Sequence, residues 1–109
     1  MYWNEVIKLG KETEEYIDFE YVKVYDFHQV FCNELSIKQS EFYYANQQGL
    51  KPEVAFEVRR EEYDGETVFE WNDKRYYLVR TYANQKNGTV ELYLSSDISV
   101  LNELGGASD

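Results

Sequence analysis

Cys32 and His28 are the residues best suited to covalent chemistry, because this sequence of 109 residues contains one cysteine and one histidine. A cysteine–histidine dyad needs the imidazole close enough to take the thiol proton. The segment around both residues is typical of a strand, in which positions four apart share a face but lie roughly 13 Å from each other. We therefore interpret Cys32 as a buried structural thiol and His28 as a surface or interface imidazole.

A run of four carboxylates is the best candidate for a cation site, and it comprises Glu61, Glu62, Asp64 and Glu66. The run lacks the alternating oxygen ligands of a calcium loop, and no histidine is near it in the sequence to suit a transition metal. A zinc site would need more sulfur and imidazole than the chain has. We interpret the run as a solvated hairpin tip, and we predict no metal, no cofactor and no enzymatic activity.

Composition and charge narrow the class of protein. Hydrophobic residues make up 43% of the chain and aromatic residues 17%, which excludes a disordered polymer. The 21 acidic and 11 basic side chains give a net charge of −10, which disfavours wrapping a nucleic acid through its phosphates. No apolar run is long enough to span a bilayer, and the single cysteine cannot form an internal disulfide. We expect a soluble protein made in a reducing cytoplasm, with no membrane partner.

Alternating apolar and polar residues predict a mainly β protein. A first strand is expected at residues 5–9, ending at Gly10 and an acidic connection over residues 11–15. Residues 16–35 read as two strands, or as one strand bent by a bulge. Four further strands are expected near residues 54–58, 67–71, 75–82 and 89–94. We predict that these four form a meander, with Asp64-Gly65 as the first hairpin turn.

One short helix is expected near residues 37–48, after a serine cap at Ser36 and before Gly49 and Pro52. Curling the sheet best buries its alternating faces. The predicted fold is therefore a small antiparallel β-barrel or sandwich of about five to seven strands with that one helix. We expect residues 1–109 to form a single domain in which residues 96–109 are a flexible tail.

The tyrosines are the remaining indication of function. The sequence contains 11 of them, more than the core of so small a domain can bury. Neighbouring strand residues face opposite sides, so one member of Tyr76-Tyr77 must point outward. Such rings either half-cover the sheet or contact other subunits, where tyrosine is enriched. Composition leaves both interpretations open.

The order of several short motifs points to a family. In chain order they are residues 40–49 (SEFYYANQQG), 55–59 (AFEVR), 62–66 (EYDGE), 74–82 (KRYYLVRTY) and 91–94 (ELYL). This series resembles the head–tail joining proteins of long-tailed bacteriophages and prophages, specifically the head-closure or stopper subunit. The similarity spans residues 5–94, with individually degenerate motifs in a moderately specific order.

The resemblance implies a small β-barrel with one helix, copies of which form a ring beneath the portal and adaptor rings. That ring would retain packaged DNA without sequence-specific binding and would present the docking surface for the tail. The protein would thus be made in the cytoplasm of the host bacterium and end in the virion, at the neck between capsid and tail. In this family the loop around the helix is associated with the channel, which corresponds here to Tyr44, Gln47, Gln48 and Lys51.

A ring requires each subunit to contact the next through two different faces. Arginine and tyrosine dominate such contacts, so we predict an interface that includes Arg59, Arg80, Tyr77 and Tyr93. Pairing of these arginines with Glu57 or Glu70 inside the same sheet is an equally good interpretation.

Two alternative functions stay open. The chain could form another ring of the same connector, either the adaptor or the tail terminator, although adaptors are largely helical by resemblance. It could instead be an acidic mimic of DNA that inhibits a host enzyme. A mimic would carry carboxylates spaced like phosphates on one face, whereas here they are interleaved with lysine and arginine.

Overall fold

The computed structural model describes residues 3–37 and 52–100, which form a closed antiparallel barrel of six strands. Around the barrel the strands follow the order β1-β2-β3-β6-β5-β4. Their bounds are β1 Glu5–Ile17, β2 Glu20–Leu35, β3 Val54–Arg59, β4 Val68–Trp71, β5 Lys74–Asn84 and β6 Thr89–Ser95, with a 3-10 turn at Arg60–Glu62. The predicted small antiparallel β-barrel is confirmed. Apart from Ile37, the predicted helix near residues 37–48 lies outside the described residues.

The barrel interior is filled by the side chains that the period-two pattern assigns to one face. Its fully enclosed members are Ile7, Leu9, Cys32, Phe56, Val58, Phe69, Leu92 and Leu94. The ring of Phe56 meets the indole of Trp71 edge to face, with 5.0 Å between centroids, an arrangement that aromatic pairs prefer. Tyr76 points into this core, whereas its neighbour Tyr77 lies on the outer face and is half-buried.

A second apolar cluster covers part of the outer face of β3, β5 and β6, and consists of Ala55, Val79, Tyr93 and Val100, with Leu35, Ile37 and Tyr77 partly buried against them. It depends on a bulge in β5, where Leu78 pairs with Leu94 and Arg80 pairs with Tyr93. The extra residue, Val79, is thereby turned onto the outer face. The barrel thus has an apolar cluster on each side of this part of its wall.

The predicted end of the first strand at Gly10 is wrong, because β1 continues unbroken to Ile17. Gly10 lies opposite Phe27 of β2, and a Cβ atom at residue 10 would stand only 2.6 Å from Cε1 of the Phe27 ring. The glycine therefore makes room for this ring and does not end the strand. Pairing with β2 holds the acidic residues 11–15 in the strand although glutamate has a weak strand preference.

Replacing Gly10 with alanine should destabilise the protein only while Phe27 is present. In a Phe27→Ala background the added methyl group meets no ring, and alanine lowers the entropy of the unfolded chain. We expect a coupling free energy of about 1–2 kcal/mol between the two positions, the size of a small overpacking cost. Urea unfolding of the two single variants and the double variant measures it, and additive effects would contradict the close contact.

The predicted four-strand meander is also wrong. Strand β3 pairs with β2 and β6, and β4 pairs with β1 and β5, so β3 and β4 are not neighbours. Gly65 adopts a positive φ of 80°, as a turn requires, but residues 60–67 pass from one side of the barrel to the other. Tyr63 packs against the interior core on the way, and its hydroxyl donates a 2.9 Å hydrogen bond to the Glu66 carbonyl.

Candidate assembly interface

The hairpin of β1 and β2 extends well past the barrel wall. The two strands pair along their whole length, from Glu5 opposite Cys32 to Ile17 opposite Glu20. On its other side β1 pairs with β4 only over residues 8–10, and β2 pairs with β3 only over residues 33–35. We call residues 11–27 the arm. Residues 16–35, predicted as two strands or one bent strand, are in fact the last two residues of β1, a two-residue turn and the single strand β2, which pairs with β1 without a register shift.

One face of the arm carries a row of aromatic rings. The rings of Tyr16 and Tyr21 stack with 5.0 Å between centroids near the tip, and those of Tyr25 and Phe27 lie 6.3 Å apart near the base. The guanidinium of Arg75 lies over both basal rings, 5.8 and 5.3 Å from their centroids. The base of the arm is thus fixed to the barrel by a cation–π contact, while the tip rings stay largely exposed.

The tip of the arm is a two-residue turn in a demanding conformation. Asp18 and Phe19 both have positive φ, at 50° and 68°, as the type I′ hairpin turn requires. Asparagine and glycine adopt that conformation easily, but phenylalanine does so at a cost of roughly 1–2 kcal/mol. The Phe19 side chain is 93% exposed, so no contact within residues 3–37 and 52–100 offsets this cost. An exposed aromatic ring at a strained tip is a feature of binding surfaces.

The arm also holds much of the excess negative charge. Within residues 11–27 six carboxylates face two lysines, a net charge of −4 out of −10 for the chain. The Lys23 ammonium lies 3.9 Å from a carboxylate oxygen of Glu12, and both side chains are exposed. The surface is therefore apolar and acidic together, which suits contact with a protein better than contact with phosphates.

Two of the four carboxylates considered as a cation site, Asp64 and Glu66, hold the loop of residues 60–67 against the base of the arm. The Lys11 ammonium bonds to the Asp64 carboxylate, which raises the pKa of Lys11 and lowers that of Asp64. Glu66 is buried, accepts a 2.7 Å hydrogen bond from the Asp64 backbone amide, and lies 3.8 Å from Nε2 of His28. Within residues 3–37 and 52–100 no three metal-ligating side chains converge.

Cys32 and His28 differ in their burial, the first lying in the barrel core and the second at the surface. The Cys32 side chain is enclosed in the barrel core, and burial, assisted by the nearby carboxylates of Glu5 and Glu34, raises its pKa to about 12. At neutral pH it is therefore a thiol and a poor nucleophile. The imidazole of His28 is about half exposed, at the base of the arm and beside Glu66. The buried thiol and surface imidazole expected from the sequence match these positions.

The two predicted interface arginines lie on aromatic rings of their own chain. The Arg59 guanidinium stands 4.9 Å from the centroid of Trp3, and its nearest carboxylate oxygen, at 3.9 Å, belongs to Glu62. The Arg80 guanidinium stands 5.3 Å from the centroid of Tyr93. Arg59 is exposed and Arg80 is half-buried, so Arg59 has the more accessible side chain.

The carboxylates suggested as partners for those arginines bond elsewhere. Glu57 is buried and accepts a 3.0 Å hydrogen bond from the Thr89 hydroxyl, while Glu70 pairs with Arg75 at 3.0 Å. The predicted interface tyrosines belong to the outer apolar cluster: Tyr93 is buried, and Tyr77 is half-buried beside it. The role of these four residues in subunit contacts stays a prediction.

The predicted channel residues Tyr44, Gln47, Gln48 and Lys51 all lie outside the described residues. The aromatic tip of the arm, in contrast, was not predicted as a site. Its one signal in the sequence is the alternation of Tyr21 and Tyr25 with Val22 and Val24, which places rings on one face of a strand with no helix or second sheet assigned to cover them.

The chain that follows β6 is fixed to the barrel by Glu53. Its carboxylate accepts hydrogen bonds from the Ser96 amide at 2.8 Å, the Ser96 hydroxyl at 2.8 and 3.0 Å, and the Ser95 hydroxyl at 3.0 Å. The Lys74 ammonium lies 4.0 Å away. Residues 96–109 were predicted as a flexible tail; of these, residues 96–100 are described, and Val100 is buried in the outer cluster.

Replacing Glu53 with glutamine should lower the free energy of unfolding by about 1 kcal/mol at pH 7, allowing for solvent screening of an exposed group. Partial burial alone would raise the pKa of Glu53, but the Ser95 and Ser96 hydrogen bonds and Lys74 outweigh it and lower the pKa below 4.5. A lowered carboxyl pKa stabilises the fold above the unfolded pKa, and this is lost as the pH falls through the folded pKa. The difference from the natural chain should therefore shrink as the pH falls below 4.5 and the Glu53 carboxylate takes up a proton.

Urea unfolding of both chains at a series of pH values between 7 and 3 tests this. Glu14→Gln, in the exposed part of the arm, is the control and should change stability little at any pH. A Glu53→Gln effect that persists at low pH would contradict the role given to the carboxylate.

No protein-family model matches the chain, and no curated protein matches its sequence. No helix in residues 3–37 or 52–100 has the length and apolar character needed to cross a membrane.

Proposed function

We propose that this chain is the head-closure subunit in the head–tail connector of a long-tailed bacteriophage or prophage. The closed six-stranded barrel is the observation that supports the proposal most, because the family that the sequence resembles has a small β-barrel fold. In this account copies form a ring at the virion neck, contact the portal and adaptor rings on one side and tail proteins on the other, and act without catalysis.

The arm supports an assembly role. Its rings cover one face of a hairpin that has no other strand beside it among the described residues, and the Phe19 ring at its tip is almost fully exposed. Exposed aromatic side chains are the residues that contribute most to protein–protein contacts. A free monomer gains nothing from such a tip, whereas a subunit that binds its neighbours does.

The charge supports a role next to DNA without attachment to it. A channel that holds and later releases DNA should not bind phosphates tightly, and carboxylates repel them. The net charge of −10 and the acidic arm suit this role, and packaged DNA would be contacted without sequence readout.

Shortening the segment of residues 47–51 should leave the barrel folded and yield particles that lose their DNA. In the proposal this segment narrows the channel, and none of its residues belongs to the six described strands or to the interior core that these strands form. Circular dichroism reports folding, and electron microscopy counts full and empty heads. Lys86→Ser, in the exposed turn after β5, is the control and should leave heads full. Heads that stay full but lack tails would instead place the segment at the tail interface.

The alternatives predict different results. Competition with duplex DNA for a host nuclease would favour the acidic mimic and contradict the connector proposal. A position at the tail side of the neck, beyond the head-closure ring, would identify a tail terminator. A largely helical adaptor does not fit the six strands that residues 3–37 and 52–100 form.

A further inference from the structure

The arm has an open backbone edge on each side. Past residue 10, β1 has no partner but β2, and before residue 33, β2 has no partner but β1, within the part of the chain that the structure describes. Open edges of this length are templates for pairing with another chain. Proteins block such edges with proline, a bulge or charged side chains. Here the only proline in the sequence is Pro52 and the β1–β2 register is unbroken, so the charged side chains of the arm decide whether its edges can pair.

We propose that arms of successive copies of this chain pair edge to edge, with the open edge of β2 in one copy antiparallel to the open edge of β1 in the next. The proposal rests on the ring of the proposed function, because arms related by a rotation axis along the channel all point the same way. In such a set β2 of one copy lies beside β1 of its neighbour, and these two strands run in opposite directions. Once the ring closes, the open edge of every β1 and of every β2 in the arms is paired with a strand of a neighbouring copy.

The side chains favour one register, which we call the level register. In it, each β2 residue of one copy faces the β1 residue of the next copy that corresponds to its own partner within one chain. Lys23 then faces Glu14 of the next copy, and Asp26 faces Lys11, so opposite charges meet twice. Tyr21 faces Tyr16 of the next copy, extending the stack already present within one arm.

No directly opposite pair in this register joins like charges. The remaining pairs match a carboxylate with an apolar or aromatic residue, or an apolar residue with a threonine: Tyr25 with Glu12, Val22 with Glu15, Val24 with Thr13 and Glu20 with Ile17. Side chains that face each other across a sheet lie on the same face, so the aromatic row of one arm continues into the next. The acidic charge of the arm is thereby compatible with pairing.

Two single-cysteine variants, Thr13→Cys and Val24→Cys, test the pairing directly. Each chain then has one accessible cysteine, since Cys32 is enclosed and its raised pKa keeps it a thiol. Residues 13 and 24 are opposite each other in the level register, close enough for a disulfide. Mild oxidation of the mixed variants at high protein concentration should give a disulfide-linked dimer that contains one copy of each. Neither variant alone should give one.

Three other outcomes would overturn the proposal. A dimer from Val24→Cys alone would show that two β2 edges pair about a two-fold axis, and a dimer from Thr13→Cys alone would show the same for β1. Absence of any dimer would show that the arms do not pair. Thr81→Cys, exposed on β5, mixed with Val24→Cys is the matched control for random collision and should give no dimer.

Charge reversal supplies an independent readout. Adding Lys23→Glu to the Val24→Cys chain should prevent the cross-link with Thr13→Cys, and adding Glu14→Lys to the Thr13→Cys chain should restore it. Failure of the rescue would contradict the level register. The cross-link is measured on purified protein, so its failure is distinguishable from absence of the protein at a virion neck, which would contradict the proposed function alone.

Discussion

Under the proposed function, replacing residues 12–25 with Asn-Gly should give a folded barrel that can no longer join heads to tails. Lys11 and Asp26 lie directly opposite each other, so a two-residue turn can connect them without moving either strand. The removed side chains are exposed or half-buried and lie outside the interior core, and we expect stability to change by no more than about 1 kcal/mol. Complementation of a phage lacking the gene should yield no more infectious particles than the deletion itself.

The control keeps the arm and changes only its turn. Asn-Gly adopts the two positive φ angles of this turn with less strain than Asp18-Phe19. Substituting Asp18→Asn and Phe19→Gly should therefore stabilise the protein by about 1 kcal/mol. The same variant removes the exposed ring and the Asp18 carboxylate, so any fall in particle assembly comes from loss of these two side chains and not from unfolding. A short-armed barrel that restores normal particle numbers would contradict the role of the arm.

Phe56→Ala should destabilise the chain more than any other single truncation discussed. The ring is fully enclosed, packs on Trp71, and belongs to the interior core that closes the barrel. Loss of a buried phenyl ring costs about 3–5 kcal/mol, a large share of the 5–15 kcal/mol typical of a domain.

Phe31→Ala is the matched control, since the same change at a ring that is 56% exposed should cost less than about 1 kcal/mol. Urea unfolding followed by tryptophan fluorescence measures both variants, because Trp71 contacts Phe56. Equal effects of the two substitutions would contradict the assignment of Phe56 to the core.

Sequence periodicity predicted the strands whose two faces differ. Val54, Phe56 and Val58 face the barrel core and alternate with residues of the outer face, and this period-two pattern was enough to identify the strand. Val90, Leu92 and Leu94 behave in the same way in β6. These positions needed no tertiary information.

The arm escaped prediction because both of its faces contact solvent. Residues 11–15 have no apolar member to mark a buried face, and Gly10 resembles the end of a strand. What keeps these residues in a strand is their pairing with β2 and the stacking of Tyr16 on Tyr21, both of which are contacts between segments.

Two further features could not be predicted from local sequence: which strands are neighbours in the barrel, and that part of the outer face is buried. The Asp64-Gly65 signal was correct for a turn, but closure of the barrel placed β3 and β4 on opposite sides of it. Tyr93 was expected to face outward and does so, yet the bulge at Val79 and the residues around Val100 bury it. Such coverage depends on segments distant in sequence.

Cryo-electron microscopy of the particles that carry this chain is the most direct measurement. The account predicts a ring of six-stranded barrels between the portal-side rings and the tail, with arms of adjacent copies in contact. Intact, DNA-filled, tailed particles whose neck contains none of this polypeptide would contradict it.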